Sequence, residues 1–180
     1  MTAPQVDPKP VNFSVKLKPH AFDPATHPEL FEGVLARRVV AFVIDVILIS
    51  IPLAFLAIFI VMFGLVTLGF GFLLFFVYGP VAALWALAYY GLTFGSPASA
   101  TIGMRIMDLE MRTWYGDPAY FVLGAVHAAG YWLLVSTLTP LILLVAFFNT
   151  RQRLAHDMLV GTIVINNEAR AASLRGSRAV

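Results

Sequence analysis

Two long runs of apolar residues dominate the first half of the chain, and each predicts a helix that crosses a membrane. They cover residues 39–63 and 72–94. At about 1.5 Å of rise per residue, either run can cross the roughly 30 Å of hydrocarbon in a bilayer. The link between them, residues 64–71, is uncharged and has a glycine at each end. Such a link is typical of the tip of an antiparallel helical hairpin.

A third apolar stretch, residues 119–149, predicts a pair of helices instead of one. As a single straight helix it would be about 46 Å long, which exceeds a modestly tilted span. Pro140 removes a backbone donor, and the hydroxyls of Ser136, Thr137 and Thr139 can satisfy the freed backbone groups. The part after Pro140 is short, so we expect a broken or re-entrant hairpin. One tilted helix, with the C-terminus on the opposite side, is the alternative.

Small elements are expected at the membrane surface. Residues 27–35 have the spacing of a short surface helix, and residues 150–160 that of a helix ended by Gly161. Residues 105–111 predict a strand or an interfacial helix, which could pair with the β-branched residues 162–165. The predicted fold class is therefore an all-α membrane protein. It has two full spans, a broken or re-entrant third and fourth helix pair, and small interfacial elements.

The composition excludes an ordinary soluble domain. Hydrophobic residues make up 59% of the chain and charged residues only 12%, too few for a water-exposed surface. Six prolines occur among polar residues near the N-terminus. We therefore expect a disordered, proline-rich cytoplasmic tail over residues 1–32, a transmembrane domain over 33–165 and a flexible, basic C-terminal tail over 166–180.

The distribution of lysine and arginine predicts the orientation. The tip at residues 64–71 has none, and the basic residues flanking the spans are Lys9, Lys16, Lys18, Arg37, Arg38, Arg105, Arg112, Arg151, Arg153, Arg170, Arg175 and Arg178. Because positive charge accumulates on the cytoplasmic side, we expect a multi-pass inner (plasma) membrane protein with a cytoplasmic N-terminus. The C-terminal arginines favour the same side, which requires an even number of crossings.

One arginine and two aspartates are predicted to share a site near the cytoplasmic face. Arg38 and Asp45 are seven residues apart, so they lie on one helix face with Asp45 about 10 Å deeper. A charge at that depth should face the bundle interior. Asp157 is placed in the last turn of its predicted helix, where it opposes the helix dipole and needs a partner such as Arg38. The cluster is either a structural clamp or a site where Asp45 binds a proton or small cation.

Three blocks of residues resemble the RDD family of membrane proteins. They are Arg38-Val39-Val40-Ala41-Phe42-Val43-Ile44-Asp45, Thr101-Ile102-Gly103-Met104-Arg105, and Arg151-Gln152-Arg153-Leu154-Ala155-His156-Asp157 with Gly161-Thr162. The family is named for one arginine and two aspartates, which match Arg38, Asp45 and Asp157, and the resemblance extends from about residue 35 to 165. Met104 stands where the family has lysine. The resemblance implies transport of a small ion or solute without specifying the substrate.

Several residues in or beside these blocks are candidate accessory residues: Pro52, Thr101, Gly103, Arg105, Arg151, Arg153, His156, Gly161 and Thr162. Pro52 frees the carbonyl of Leu48, which would suit a cation site, although a packing kink is its commoner role. His127 is expected to form a hydrogen bond between helices. His156 and Asp157 are not expected to act as a dyad, because adjacent helical side chains point about 100° apart.

The remaining patterns limit the function classes. The sequence has no nucleotide-binding loop, no histidines at metal-ligand spacing and no nucleophile with a plausible base, so we predict neither an enzyme nor a metal site or other cofactor site. The juxtamembrane arginines favour anionic lipid headgroups over nucleic acid. Two classes remain: a small transporter, expected to be a homo-oligomer, and a membrane scaffold or assembly factor in which the cluster is only a clamp.

Overall fold

The apolar half of the molecule is a long helical hairpin. The computed structural model describes residues 20–138, 144–146 and 148–178. Helix α1 is Val34–Val66, and after the tip the 3₁₀ helix Phe70–Leu74 leads into α2, Phe75–Phe94. Both predicted spans are present, and α1 starts five residues earlier than predicted because it includes the juxtamembrane turn. Gly64 and Gly71 allow the tip to close, since a Cβ on Gly71 would lie 2.6 Å from the Gly64 nitrogen.

The third apolar helix, α4, is Phe121–Leu138 and packs along α2. Gly124 makes the close approach possible, because a Cβ there would lie 2.6 Å from the Phe94 Cβ. The described part of the helix extends to Leu138, next to the predicted break. Half of the predicted second helix of this pair, residues 140–143 and 147, lies outside the described residues. The re-entrant form of the pair therefore stays a prediction.

Short elements form a polar layer at one end of the hairpin. They are α3 (Ile102–Ile106), β1 (Leu109–Thr113), α5 (Ala155–Val160) and β2 (Thr162–Asn166). Strands β1 and β2 are antiparallel, with Leu109 opposite Asn166 and Thr113 opposite Thr162. The suggested pairing is thus present, but β1 begins later than residue 105. The Thr101 hydroxyl accepts a hydrogen bond from the Met104 amide and caps a short helix over the residues before the strand.

The segment before α1 packs against this layer. Phe31 is buried beside Ile163 and Ile165, and the 3₁₀ helix Pro28–Leu30 precedes it. The predicted surface helix over 27–35 is interrupted, because Gly33 adopts a left-handed conformation (φ 69°) and α1 begins after it. Of the predicted disordered tail, residues 1–19 lie outside the described part of the chain.

The C-terminal segment differs from the flexible tail that was expected. Residues Glu168–Arg178 form a helix, α6, in which Ala171 and Leu174 are buried. Its arginines pair with acids before α1: Arg175 lies 3.2 Å from Glu29 Oε1. The helix is stabilised by contacts with a segment about 140 residues earlier, which local composition could not reveal.

The strand pairing places the C-terminal elements at the end of the bundle where α1 begins and α2 ends. The helices α1, α2 and α4 are each long and apolar enough to span a membrane. Only 11%, 6% and 22% of their most apolar windows are buried within the chain, so most of their surface is available to lipid.

Candidate functional site

The carboxylate of Asp45 is buried in the interior of the bundle, as expected, with 3% of the residue exposed. It accepts hydrogen bonds from the hydroxyls of Tyr89 and Thr101, both at 2.6 Å, and from the Gly103 amide at 2.8 Å. All three donors are electrically neutral. Among the described residues, no arginine, lysine or histidine nitrogen lies within 4 Å of this carboxylate. Its negative charge therefore has dipolar partners and no ionic one.

The geometry around Asp45 depends on α3. Thr101 is the N-cap of α3, and the Gly103 amide is one of the free donors in its first turn. Asp45 therefore links α1 to the start of α3, and Tyr89 adds α2 to the same contact. A side chain at Gly103 would clash, since its Cβ would lie 2.1 Å from the Ala41 carbonyl oxygen. Thr101 and Gly103 are thus parts of one buried helix junction.

Arg38 and Asp157 form a bidentate ion pair, which joins α1 to α5. Arg38 Nη1 lies 2.7 Å from Asp157 Oδ2, and Nη2 lies 3.1 Å from Oδ1. The Asp157 side chain is fully buried. Burial alone would raise the pKa of this carboxyl, but Arg38 and the nearby imidazoles hold the pKa well below its usual range. The carboxylate is therefore ionised near neutral pH.

The predicted position of Asp157 in its helix is wrong. Helix α5 begins at Ala155 instead of residue 150, so Asp157 lies in the first turn. There its Oδ2 accepts a hydrogen bond of 2.8 Å from the Leu154 amide, and its charge is favourable to the helix dipole. Residues 150–154, which were predicted to be helical, lie before α5. There the side-chain oxygen of Asn149 accepts hydrogen bonds from the amides of Arg151 and Arg153. Gly161 ends the helix in a left-handed conformation (φ 73°), as expected.

The expected cluster is divided into two centres. Arg38 pairs with Asp157 but makes no ion pair with Asp45 within the described residues. The reason is geometric: Arg38 is held by the carboxylate of α5, whereas Asp45 lies two turns deeper beside Tyr89 and α3. One guanidinium therefore does not bridge both carboxylates. The two centres meet instead on a common cavity.

Two histidines converge on Asp157, which the sequence did not predict. Nε2 of His156 lies 3.2 Å, and Nε2 of His127 3.7 Å, from Asp157 Oδ1. His127 Nδ1 lies 3.1 Å from the Thr162 hydroxyl, so its hydrogen bond joins α4 to strand β2 and not to a second helix, as had been expected. The argument that His156 and Asp157 point apart is wrong here. In the first turn of α5 the carboxylate folds back toward the N-cap, which brings Oδ1 near its neighbour's ring.

Burial and nearby charge determine the protonation state of His156. Burial lowers the pKa of His156 to about 4, and Asp157 opposes this shift without reversing it. The ring is therefore neutral near pH 7. The His127 and His156 ring centroids are 4.6 Å apart in an edge-on contact. No spacing in the sequence signals this contact, because the two residues come from separate helices.

Arg153 and Thr162 support Asp157 from the other side. The guanidinium of Arg153 donates to the backbone carbonyls of Asp157 (2.7 Å) and Thr162 (2.9 Å) and lies 4.3 Å from the centroid of the Trp114 ring. Arg153 and Thr162 are both buried. Trp114 thus provides a cation–π contact to the guanidinium. These accessory residues position α5 and β2.

The remaining accessory candidates lie outside the two centres. Pro52 is exposed on α1 and contributes no hydrogen-bond partner to Asp45. Arg105 is exposed and donates to the Ala100 carbonyl and the Ser96 hydroxyl. Arg151 donates to the Phe22 carbonyl, so it fastens the segment before α1. These contacts are structural.

An open cavity of about 480 Å³ adjoins both centres. Most of its wall is apolar, and its polar lining comes from both centres: Arg38, Asp45, Thr101, His127 and His156. Met104, which stands in place of the family's lysine, also lines it. A buried carboxylate, an arginine and two imidazoles thus face one space large enough for a small ion with its water or a small solute.

The comparisons with known proteins agree with the three sequence blocks. The model of the RDD family matches residues 33–161, most of the chain and all of both centres. No curated protein and no solved structure matches the chain. The match covers α1 to α5 and ends before β2.

Proposed function

Because the chain belongs to the RDD family, we propose that this integral membrane protein is a transporter in which Asp45 carries a proton or a small monovalent cation. One observation supports the proposal above the others. Asp45 is buried on a helix long and apolar enough to span a membrane, has only neutral hydrogen-bond donors among the described residues, and lines an open cavity. An ionisable group at such a place is expensive to keep, and this cost is typical of ion and proton pathways.

The cavity supplies the route to that carboxylate. Arg38 and His156 lie at its polar end and Asp45 lies deeper. An ion entering from the polar end would therefore meet a neutralised ion pair first and the unpaired carboxylate second. The deeper group is the one whose charge an incoming cation or proton can compensate.

We further propose an inner-membrane, multi-pass topology with both chain ends in the cytoplasm. Arginines lie in α3, in β1, just before α5 and in α6, whereas the tip at residues 64–71 has none, and positive charge favours the cytoplasmic side. The chain has no cysteine, so single cysteines can report sidedness. A thiol reagent that cannot cross the membrane should label Leu68→Cys in intact cells and Ser177→Cys only in opened vesicles. The reverse pattern would contradict the orientation.

A homo-oligomer is part of the proposal. The three apolar helices bury little surface within one chain, and a bundle this thin encloses a pathway poorly. Anionic headgroups are proposed as neighbours of the arginine-rich layer. Measuring the mass of the protein in lipid nanodiscs would test the homo-oligomer. A monomeric mass with full flux would contradict it.

Flux into proteoliposomes tests the role of Asp45. A proton, sodium or potassium gradient would be imposed and internal pH or cation content read with a trapped dye. We expect Asp45→Asn to reduce flux to the level of empty liposomes, because the amide cannot carry the charge. The fold should survive, since Asn Oδ1 can accept from Tyr89 and Gly103 while its amide faces the Thr101 hydroxyl.

The matched control is Asp108→Asn. Asp108 is also an aspartate, but unlike Asp45 it pairs with an arginine, its side chain is 49% exposed and it lies outside the cavity lining. Its variant should transport at the wild-type rate. Wild-type flux retained in a folded Asp45→Asn protein would exclude the carboxylate as carrier.

The second candidate function is a membrane scaffold, and the Arg38–Asp157 pair favours it. That pair is bidentate, buried and joined to a helix cap, as a structural clamp between α1 and α5 requires. A scaffold would give no flux of any of the three ions in the wild-type protein. Equal loss of fold and flux in Asp45→Asn would also favour this function.

A further inference from the structure

Three buried side chains with metal-binding atoms converge where α4 meets α5. They are His127, His156 and Asp157, and one ligand atom from each lies within 4.8 Å of the other two. We propose that these residues form a binding site for a divalent transition-metal ion of the zinc type. This site is separate from the Asp45 carboxylate on which the proposed transport depends.

The distances fit the coordination of zinc. Nitrogen and oxygen ligands at about 2.0–2.1 Å in a tetrahedron lie about 3.3 Å from one another. The two imidazole Nε2 atoms lie 3.2 Å and 3.7 Å from Asp157 Oδ1. Both contacts to the carboxylate oxygen are therefore within a few tenths of an ångström of this spacing, and the ligand atoms of all three residues lie within 4.8 Å of one another. Two imidazoles with one carboxylate are a donor set that zinc accepts.

The Asp157 carboxylate is oriented so that one oxygen, Oδ1, faces the proposed metal position. Oδ2 of Asp157 receives the short contact from Arg38 (2.7 Å) and the Leu154 amide (2.8 Å). Oδ1 has the longer Arg38 contact, 3.1 Å, and faces the two imidazoles. Hydrogen bonds to a ligating carboxylate are a usual outer-shell feature of metal sites, since they fix its orientation.

Thr162 orients the second ligand. Its buried hydroxyl lies 3.1 Å from His127 Nδ1. A proton on Nδ1 that is donated to Thr162 leaves the lone pair of Nε2 directed at Asp157 Oδ1, which is the form that binds a metal. Strand β2 therefore supplies the residue that orients His127.

The cavity supplies the open coordination position. Both histidines line it, so a fourth ligand can reach the ion from the cavity. Arg38 already offsets the charge of Asp157, and a divalent ion would add two positive charges. An anionic fourth ligand such as hydroxide or chloride would balance the site best. A bound ion would also fasten α4 to α5, beside the Arg38 contact with α1.

Metal binding can be measured on the whole protein in detergent. The protein would be purified through a tag without histidine, treated with a chelator and titrated with Zn²⁺ by calorimetry. Co²⁺ would be added separately as an optical probe. We expect one ion per chain and a visible absorption spectrum of tetrahedral Co²⁺ with nitrogen and oxygen ligands. The thermal unfolding temperature should rise with Zn²⁺ concentration.

Variants separate this site from adventitious binding. His127→Gln and His156→Gln should each weaken Zn²⁺ binding at least tenfold and remove the Co²⁺ spectrum. Thr162→Val should weaken it about tenfold, the lower end of outer-shell effects. The matched control is His27→Gln, because the His27 side chain is 55% exposed and remote from this cluster. It should bind as the wild type does.

Three outcomes would overturn the proposal. They are no Zn²⁺ binding by the wild type, a Co²⁺ spectrum like that of the hydrated ion, and unchanged affinity in a folded His127→Gln or His156→Gln protein. If either glutamine variant fails to fold, the wild-type spectrum and Thr162→Val still decide, since neither removes a ligand. Ion flux with the metal chelated away separates the two proposals: flux that persists leaves the Asp45 pathway intact whatever the metal result.

Discussion

Asp45 and Asp157, the two buried aspartates in the part of the chain that the structure describes, are stabilised by different kinds of partner. Asp157, in the polar layer, has a bidentate arginine, a backbone amide and two nearby imidazoles. Asp45, in the apolar hairpin, has two hydroxyls and one amide. A carboxylate with a fixed arginine holds elements together, whereas one with neutral partners can exchange a proton or cation. Burial alone therefore does not distinguish a clamp from an ion site; the partners do.

The largest expected effect comes from removing the arginine of the clamp. Arg38→Ala leaves the fully buried carboxylate of Asp157 without its ion pair, which costs about 3–5 kcal/mol of stability. Unfolding in detergent, followed by circular dichroism, would measure it. Arg178→Ala is the control, because both it and its partner Glu32 are about half exposed and the loss should be about 1 kcal/mol or less. Equal losses would show that the clamp is no stronger than a surface pair.

A matched pair of amide substitutions sharpens the comparison between the two carboxylates. Asp157→Asn removes charge-assisted hydrogen bonds to Arg38 and should cost about 2–3 kcal/mol. Asp45→Asn replaces only contacts with neutral donors and should cost about 1 kcal/mol or less. The same unfolding assay applies to both variants. A larger loss for Asp45→Asn would mean that its charge is structural.

The junction beside Asp45 can be tested by a single added methyl group. Gly103→Ala places a Cβ 2.1 Å from the Ala41 carbonyl oxygen and should cost about 1–3 kcal/mol through overpacking. Gly79→Ala is the helical control, because a Cβ there meets nothing within 4 Å and alanine favours helix. If both variants are equally stable, α3 is not held closely against α1.

The smallest effect concerns pH and the segment before α1. Burial first, then Arg151 and Arg153, lower the pKa of His20 to about 4, while Asp23 opposes them. The unfolded segment takes up a proton near pH 6.5, so the contact of His20 with Trp114 is fully stable above pH 6.5 and weakens as the pH falls toward 4. Hydrogen exchange of residues 20–27 should therefore speed up between pH 7 and 5, after correction for intrinsic rates.

The control for this pH effect is His20→Phe, which keeps an aromatic ring without a titrating group. Its exchange should lack the pH dependence. Exchange that responds to pH equally in both proteins would assign the effect to another group.

Some features followed from the sequence alone, because they depend on local pattern. The length of the apolar runs gave both spans of the hairpin. The spacing of Arg38 and Asp45, with the cost of a charge in hydrocarbon, gave the inward direction of Asp45. Gly161 gave the end of α5. Each of these rests on neighbours within a turn or two of helix.

Only the tertiary structure decided which partner each charged group has. His127 and His156 meet because α4 packs on α5, and α6 is a helix because its arginines contact acids far upstream. The start of α5 moved Asp157 from the last turn to the first, which reversed the effect of the helix dipole and turned its Oδ1 toward the imidazoles. Such contacts join residues remote in sequence, and their energies depend on distances that composition and spacing do not contain.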